Sequence, residues 1–305
     1  MIENLNNFLK KYNYKAGIIS FGRLKELKKE IEGLYEGKFI DESLYKSYLS
    51  GFSYNMKEDS FEPKSIIIIA APRPQNRIYF NTGKKCFAVL IPPTYIGLGR
   101  MDQKIKAILD WYLSGTGYMV KTSRLPEKLL SAYSGLGRYG RNNISYIRDF
   151  GSFFSLNSFF SNIDCDYDRW SEKKELEYCL DCKVCLKSCP TGAISVRRFL
   201  IHAERCLTFL NEKQGDFPVW IKPESHNCLI GCMKCQLVCP YNKPFIDYIE
   251  DIGGFNAEET EILLQGLPLE KLPPSITEKI DLMDLKNYMN VIPRNLKVLL
   301  KKENI

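Results

Sequence analysis

Two runs of cysteine place the strongest constraint on how this chain can fold. The first run, Cys179–Pro190, has the spacing C-x2-C-x2-C-x3-C-P, and the second, Cys232–Pro240, has C-x2-C-x3-C-P. In bacterial two-cluster ferredoxins, three cysteines of such a run wrap one cubane and the fourth ligates the other cluster. The sequence therefore predicts a domain that folds around two 4Fe-4S clusters.

The exchange of the fourth cysteine between runs assigns the ligands to two sets. The first cluster is predicted to take the first three cysteines of one run and the last of the other: Cys179, Cys182, Cys185 and Cys239. The second cluster takes the remaining three cysteines of the two runs: Cys189, Cys232 and Cys235. Its fourth ligand is Cys206 or Cys228, and spacing alone leaves both open.

Zinc sites and disulfides are the alternative uses of so many cysteines. Structural zinc sites pair C-x2-C units across a spacer and do not need two proline-terminated runs. Disulfides need an oxidising compartment, which nothing in the sequence indicates. Cys86 and Cys165 stand alone and are interpreted as small buried hydrophobic residues.

Composition is that of an ordinary globular protein. The 305 residues are 45% hydrophobic and 26% charged, enough for one large domain or two to three smaller ones. No signal peptide or bilayer-length apolar run is present, so we expect a cytoplasmic protein without membrane contact. The net charge of +7 is spread along the chain, as on a solvated surface or one that attracts an acidic carrier protein or nucleic acid.

The fold class is predicted as α+β, in three parts. Residues 1–168 alternate helices with about six strands, including a buried central strand at Ser65–Ala71 and a hairpin over Asn76–Ile91. They form an α/β layered domain. Residues 169–245 form the ferredoxin-type two-cluster domain, and residues 246–305 form a helical tail packed on the body.

A glycine loop, Gly135–Gly140, matches G-x-G-x-x-G. A dinucleotide-binding loop follows a strand and opens a helix, whereas here a helix precedes the loop and a strand follows it. The order argues against a nicotinamide cofactor. The glycines still permit close approach of the backbone to a ligand, or serve a tight structural turn.

Three stretches resemble the epoxyqueuosine reductase family, relatives of the reductive dehalogenases. Ser134–Asn142, followed by Gly151–Phe154, is similar to the family's A-G-L-G-W-x-G-K-N and G-S-(F/W)-F. The first cysteine run continues into Pro190–Ile194 and then Arg205-Cys206 as the family's does, and Gly231–Asn242 resembles G-C-D-D-C-Q-L-V-C-P-W-N. Arg294–Leu296 also fits, so the likeness covers about residues 110 to 300.

The resemblance implies a cobalamin held between the α/β domain and the cluster domain. The clusters would pass it single electrons from a low-potential donor of the ferredoxin or flavodoxin type. It favours Cys206 as the missing cluster ligand, and neither His202 nor His226 is expected to ligate cobalt. Five residues of the glycine loop would line the corrin: Gly135, Gly137, Tyr139, Gly140 and Asn142.

Two departures from the family pattern bear on the substrate. The family's catalytic aspartate, in V-D-(T/S)-x-P, is replaced by Lys121 within Val120–Arg124. A lysine donates a proton only where burial lowers its pKa, and otherwise is a fixed cation suited to an anionic group. The family's R-Y-A-x-G-R-D-Y-H segment is replaced by Phe87–Tyr95.

These features lead to one expected function and two alternatives. The first is a cobalamin-dependent iron–sulfur oxidoreductase that acts, through Lys121, on a small or nucleoside-like substrate other than epoxyqueuosine. The second is an electron-transfer protein, without its own cobalamin, that reduces a partner protein. The third is a tRNA epoxyqueuosine reductase with an altered acid residue.

Overall fold

The computed structural model describes residues 2–56, 60–168 and 170–303, so the predicted boundary at residue 169 lies outside the described residues. The strands are β1 (Lys15–Ser20), β2 (Ser65–Pro72), β3 (Gln75–Asn81), β4 (Cys86–Ile91), β5 (Val120–Thr122), β6 (Arg138–Tyr139), β7 (Ser145–Tyr146), β8 (Phe154–Ser161) and β9 (Ile249–Phe255). The helices are α1 (Ile2–Leu9), α2 (Leu24–Glu36), α3 (Glu42–Leu44), α4 (Leu98–Leu113), α5 (Glu127–Tyr133), α6 (Val184–Ser188), α7 (Leu207–Glu212), α8 (Lys234–Leu237), α9 (Ala257–Gln265), α10 (Pro274–Leu282) and α11 (Ile292–Lys302). This mixture confirms the predicted α+β class.

The chain forms two compact units that interleave along the sequence. The first comprises the chain up to Pro72 together with Leu98–Cys182 and Arg198–Leu200. The second comprises Arg73–Gly97, Lys183–Arg197 and the chain from Ile201 onward. This division differs from the three consecutive domains predicted from the sequence.

The first unit is built on a four-stranded antiparallel sheet in the order β1-β2-β8-β5. Strand β2 is central, as predicted, because its isoleucines supply an apolar side chain to both faces of the sheet. Ile67 and Ile69 pack with residues of α1 and α4, whereas Ile66 and Ile68 pack with residues of α2 and α5. Helices on both faces therefore bury the strand completely.

The second unit contains a three-stranded sheet in the order β4-β3-β9, with β3 parallel to β9. The hairpin β3–β4 was expected to belong to the layered domain predicted for residues 1–168. Its apolar face packs instead in the core of the second unit. Its partners there are residues of α9, α10 and α11, including Leu263, Ile280 and Leu296.

Strand β9 was not predicted; it precedes the helices α9, α10 and α11 of the predicted helical segment, residues 246–305. The strand carries two acids and two adjacent glycines, which are depleted in strands. Gly254 is required here because a Cβ would lie 2.5 Å from the Tyr79 carbonyl oxygen on β3. The strand forms because β3 offers it a partner, which the local sequence does not reveal.

The C-terminal helices follow the sequence rules closely. Helix α9 begins with a capping box in which Asn256 and Glu259 bond each other's backbone N–H groups, and it ends at Gly266 in the left-handed conformation.

No helix in the described part of the chain is long and apolar enough to cross a membrane.

Candidate metal centre

Two short helices of the second unit carry cysteines from both runs. Helix α6 contains Cys185 and ends at Cys189, whereas α8 contains Cys235 and leads to Cys239. The two helices pack against each other. Cys189 and Cys239 both have extended backbone, which the following prolines impose by disfavouring the helical conformation. Each run therefore turns away from its helix at its fourth cysteine.

Three thiols of the predicted second cluster lie close together. Burial raises the pKa of Cys206, and the charge of Cys189 acts in the same direction. Burial raises the pKa of Cys232 to about 11, with smaller contributions from Cys206 and Cys189. Buried thiols that repel one another as thiolates are stabilised in that form by bound metal. Cys206 thus lies within electrostatic reach of Cys189 and Cys232.

The loop after Cys189 supplies hydrogen bonds to its sulfur. Burial raises the pKa of Cys189, but the Thr191 hydroxyl and the backbone N–H groups of Thr191, Ala193 and Ile194 outweigh it, and the net shift is downward. The Cys189 Sγ lies 3.6 Å from the Thr191 Oγ1. Backbone N–H groups that converge on one atom form an anion site, which suits a cluster-bound thiolate. The donors around this sulfur fit an iron–sulfur cluster.

Cys228 has a different environment. Its side chain is fully buried, and its thiol donates to the Asn227 Oδ1 at 3.2 Å. Burial raises the pKa of Cys228 well above its ordinary value, and Cys232 adds to the shift. The buried thiol is thus bonded to an amide, in contrast to the mutual grouping of Cys189, Cys206 and Cys232.

The first ligand set is divided between the units. Cys179 and Cys182 belong to the first unit, and Cys185 and Cys239 belong to the second, so their assembly around one cluster stays a prediction. Within the described ranges, no group of three or more His, Cys, Asp or Glu side chains is placed as ligands of a single metal ion. The four cysteines of a 4Fe-4S cluster do not converge on one ion in this way, because each thiolate binds a different iron.

The glycine loop follows α5 and leads into β6. A Cβ on Gly137 would lie 2.6 Å from the Ser131 Oγ, and one on Gly140 would lie 2.5 Å from the Tyr146 Cε2. Both glycines are therefore required by the loop's packing on neighbouring residues. Gly135 differs: its φ of +73° favours glycine, and a Cβ there would meet no atom within 4 Å.

The two larger candidates of the loop are turned into the protein. Tyr139 is 5% exposed and packs edge-on against Phe199, and burial raises its pKa. Asn142 is 3% exposed and donates to the Tyr146 hydroxyl at 2.9 Å. Of the five predicted corrin-lining residues, Gly135 is thus the one with open space at its Cα.

Gly135 borders a cavity of about 630 Å³ within the first unit. The cavity is lined by α1, by β1 and by the start of the glycine loop, Ser134–Leu136. The Asn6 amide accepts from the Ala16 N–H at 2.8 Å and donates to the Ala16 carbonyl at 3.0 Å. Asn6 therefore satisfies backbone groups on the open edge of β1. The sequence gave no sign of this role, because a polar residue on an amphipathic helix is usually interpreted as solvent-exposed.

Lys121 lies in β5, opposite Phe160 of β8, and is partly exposed. Sequence reasoning singled out this residue and missed Glu127, which follows it at the start of α5. The Glu127 Oε1 accepts from the Ser158 backbone N–H at 3.0 Å and from the Ser158 hydroxyl at 3.2 Å. Burial first, and the charge of Asp102 second, raise the pKa of Glu127 to about 8.

Glu127 belongs to a polar network along the edge of β8. Beyond the end of β5, the Ser123 N–H donates to the Ser158 carbonyl at 2.9 Å, and the two hydroxyls are 2.7 Å apart. Asn157 donates to the Asp102 carboxylate at 2.5 Å. A glutamate in the first turn of a helix is ordinarily interpreted as a favourable dipole partner, so nothing in the sequence marked this one as a partly buried acid with a raised pKa.

Comparison with known proteins supports the prediction that the cysteine runs belong to a domain that binds two 4Fe-4S clusters. Residues 178–242 match the family described as a 4Fe-4S double cluster binding domain. The chain is 32% identical over 151 residues to the epoxyqueuosine reductase of Atelocyanobacterium thalassa, covering 48% of each chain. It is 35% identical over 125 residues to that of Escherichia coli K12, covering 41% of this chain and 32% of the relative. The chain thus spans half or less of these relatives.

Solved structures show the same fold over nearly the whole chain. The epoxyqueuosine reductase of Streptococcus thermophilus superimposes with a TM-score of 0.68 at 19% identity, covering 99% of this chain and 81% of that one. The enzyme of Bacillus subtilis, with its catalytic loop swung out of the active site, gives 0.66 at 22% identity, covering 98% and 80%. These similarities confirm the resemblance and the fold class inferred from the sequence.

Proposed function

We propose that this chain is an iron–sulfur oxidoreductase of the epoxyqueuosine reductase type. The electrostatic coupling among the partly buried thiols of Cys189, Cys206 and Cys232 carries the proposal, because these are three of the four ligands predicted for one cluster. The double-cluster match over residues 178–242 supports it independently. The two clusters would accept electrons from a low-potential donor and pass them singly to the substrate site.

A cobalamin is the acceptor that the relatives' type suggests, and when bound it would supply a strongly reducing cobalt centre. Gly135, with open space at its Cα and a cavity beside it, fits close approach of such a ligand. Gly137, Tyr139, Gly140 and Asn142 would support the loop's shape rather than touch the ligand. The role of this chain's residues is to hold the clusters, shape the loop and place a proton near β5.

Two residues of the first unit are candidates for handling that proton. Lys121 stands where the resemblance places a catalytic acid, and Glu127 follows at the head of the next helix. With a pKa raised to about 8, Glu127 is largely protonated at neutral pH. A cation at Lys121 favours a substrate with an anionic group, such as a nucleotide, over epoxyqueuosine itself.

Epoxyqueuosine within a tRNA is the second candidate substrate. The relatives are named epoxyqueuosine reductases, and one related structure holds a tRNA-Tyr stem loop that carries the modified base. On this alternative, Glu127 would take over the acid role of the aspartate that Lys121 replaces. The net charge of +7 is compatible with a nucleic acid partner.

An electron-transfer protein without cobalamin is the remaining candidate. Four of the five loop residues expected to line a corrin contact the protein itself, which is what a purely structural turn would show. On this alternative the clusters would reduce a partner protein.

The spectrum of the anaerobically purified chain with added cobalamin tests these candidates. Bound cobalamin that is reduced when dithionite or a ferredoxin is supplied would support a cobalamin-dependent oxidoreductase. If the chain binds no cobalamin, the remaining candidate is the electron-transfer protein. Conversion of epoxyqueuosine to queuosine in tRNA would then identify the tRNA as substrate. Reduced cobalamin with unchanged tRNA would favour a different, anionic substrate.

A further inference from the structure

The Asn227 side chain bonds both Cys228 and Cys232, the first cysteine of the second run, and uses every hydrogen-bonding position of its amide. Its Oδ1 accepts from the Met233 N–H at 2.8 Å and from the Cys228 thiol at 3.2 Å. Its Nδ2 donates to the Cys232 Sγ at 3.1 Å and to the Ser225 carbonyl at 3.3 Å. The amide therefore connects a non-ligand thiol to a predicted ligand sulfur.

The orientation of this amide follows from its neighbours. The Met233 N–H can only donate, so the atom that faces it must be the amide oxygen. The Ser225 carbonyl can only accept, so the atom that faces it must be the amide nitrogen. Both neighbours require the same orientation, and it places an N–H donor against the Cys232 sulfur.

The backbone around Asn227 is held at several points within the second unit. The Leu229 N–H donates to the Leu90 carbonyl at 3.0 Å, and Asn295 donates to the Leu229 carbonyl at 2.9 Å. Asn211 donates to the Gly231 carbonyl at 2.7 Å. The distance between the amide and Cys232 is thus fixed by the fold and does not depend on a mobile loop.

Hydrogen bonds to a cluster's cysteine sulfurs are one of the controls on its reduction potential. A donor withdraws negative charge from the thiolate, so it stabilises the reduced cluster, which carries one more electron. Neighbouring partners that orient such a donor act through it. Cys228, which is fully buried and donates to the Asn227 oxygen, is such a partner.

We propose that Asn227 is a positioning residue that raises the reduction potential of the second cluster through its N–H bond to Cys232. The Cys228 thiol holds the amide in the donating orientation and is not a cluster ligand. The inference rests on the proposed function only in requiring that the chain hold its two clusters.

The experiment is a redox titration of the anaerobically loaded full chain, followed by electron paramagnetic resonance. Asn227→Asp keeps the size of the side chain and replaces the amide donor with a carboxylate oxygen. We expect one of the two midpoint potentials to become more negative and the other to stay unchanged, with the iron content retained. The unmoved cluster is the internal control.

A pair of substitutions at Cys228 gives a second test should Asn227→Asp fail to load iron. Cys228→Ser retains a donor to the amide oxygen and should leave both potentials unchanged. Cys228→Ala removes the donor and should shift the same midpoint potential in the negative direction. Identical potentials in all fully loaded variants would overturn the inference, whereas wild-type protein without clusters would overturn the proposed function instead.

Discussion

Cys206 and Cys228 differ in what surrounds their sulfurs, and the difference bears on the ligand that spacing left open. Cys206 lies within electrostatic reach of both Cys189 and Cys232, whereas Cys228 is coupled to Cys232 and donates to Asn227. Local environment thus favours Cys206, in agreement with the family resemblance.

Replacing each cysteine by serine distinguishes the two. Cys206→Ser should lower the iron content from about eight to about four per chain, because a cluster that loses a thiolate ligand is lost or degraded. Cys228→Ser should retain about eight irons and serves as the matched control. The reverse pattern would make Cys228 the ligand.

Substitution of Lys121 tests whether the substrate differs from the epoxyqueuosine of the relatives' names. In Lys121→Asp, a carboxyl group is introduced at the position where the family resemblance places an acid. If epoxyqueuosine is the substrate, turnover on tRNA should rise by about a hundredfold to ten-thousandfold, the range that general acids supply. Lys121→Met removes the cation without adding an acid and is the control. Equal activity on tRNA in the wild type and both variants would exclude an acid role at this position.

Glu127 gives the fold a pH dependence with a definite sign. Because its pKa is raised from 4.5 to about 8, the folded state binds more protons than the unfolded state between these values. The free energy of unfolding should therefore fall as pH rises from about 4.5 to about 8, by up to a few kcal/mol.

Glu127→Gln keeps an oxygen that can accept from Ser158 and should lose this dependence. The difference between wild type and variant in anaerobic denaturant titrations from pH 5 to pH 9 isolates the contribution of this carboxyl group. Parallel curves for the two proteins would show that the carboxyl group is not buried as described.

At the scale of elements, helix α11 is tied to the segment that follows Cys206. The Arg294 guanidinium donates to carbonyls at the end of α7 and just beyond it: Leu210, Asn211, Lys213 and Gly215. It also lies over the Phe217 ring, 3.9 Å from its centroid. The Arg294 guanidinium thus satisfies several carbonyls at the end of α7 and in the loop after it.

Arg294→Ala should destabilise the chain by about 2–4 kcal/mol, because several carbonyls lose a charged donor while partly buried. Arg294→Lys should recover little of this, since an ammonium group cannot reproduce the planar fork of donors. Denaturant unfolding of the two variants measures both values. Full stability in Arg294→Ala would show that the helix is held by its apolar face alone.

The elements that the sequence predicted well are those with strong local signals. Strand β2 was evident from its run of isoleucines, and α2 from apolar residues at three- and four-residue steps. Strand β9 was missed because its two glycines oppose strand formation locally. Gly254 is required by the approach of β3, and Gly253 by its positive φ and the nearby Met283 side chain.

Cysteine spacing likewise predicted the double-cluster region that the family match covers, but it gave no sign of Asn227 or Glu127. Asn227 bonds residues up to six positions away through a turn that has no simple sequence pattern, and Glu127 bonds Ser158 on a distant strand.

At the scale of the whole molecule, the two units interleave along the sequence in a way that periodicity could not predict. Residues 73–97 leave the first unit to form a hairpin in the second, and the cysteine runs contribute to both. The sequence shows which residues are apolar, but not which of two cores will bury them. The fold comparison, which covers nearly the whole chain, confirms the class while the cluster ligands remain predictions.

The central claim is that this chain holds two 4Fe-4S clusters. Iron and acid-labile sulfide, determined on the full chain purified without oxygen, test it most directly. The account predicts about eight of each per chain, together with a broad visible absorbance that bleaches on reduction. Zinc in place of iron, or iron without sulfide, would contradict it.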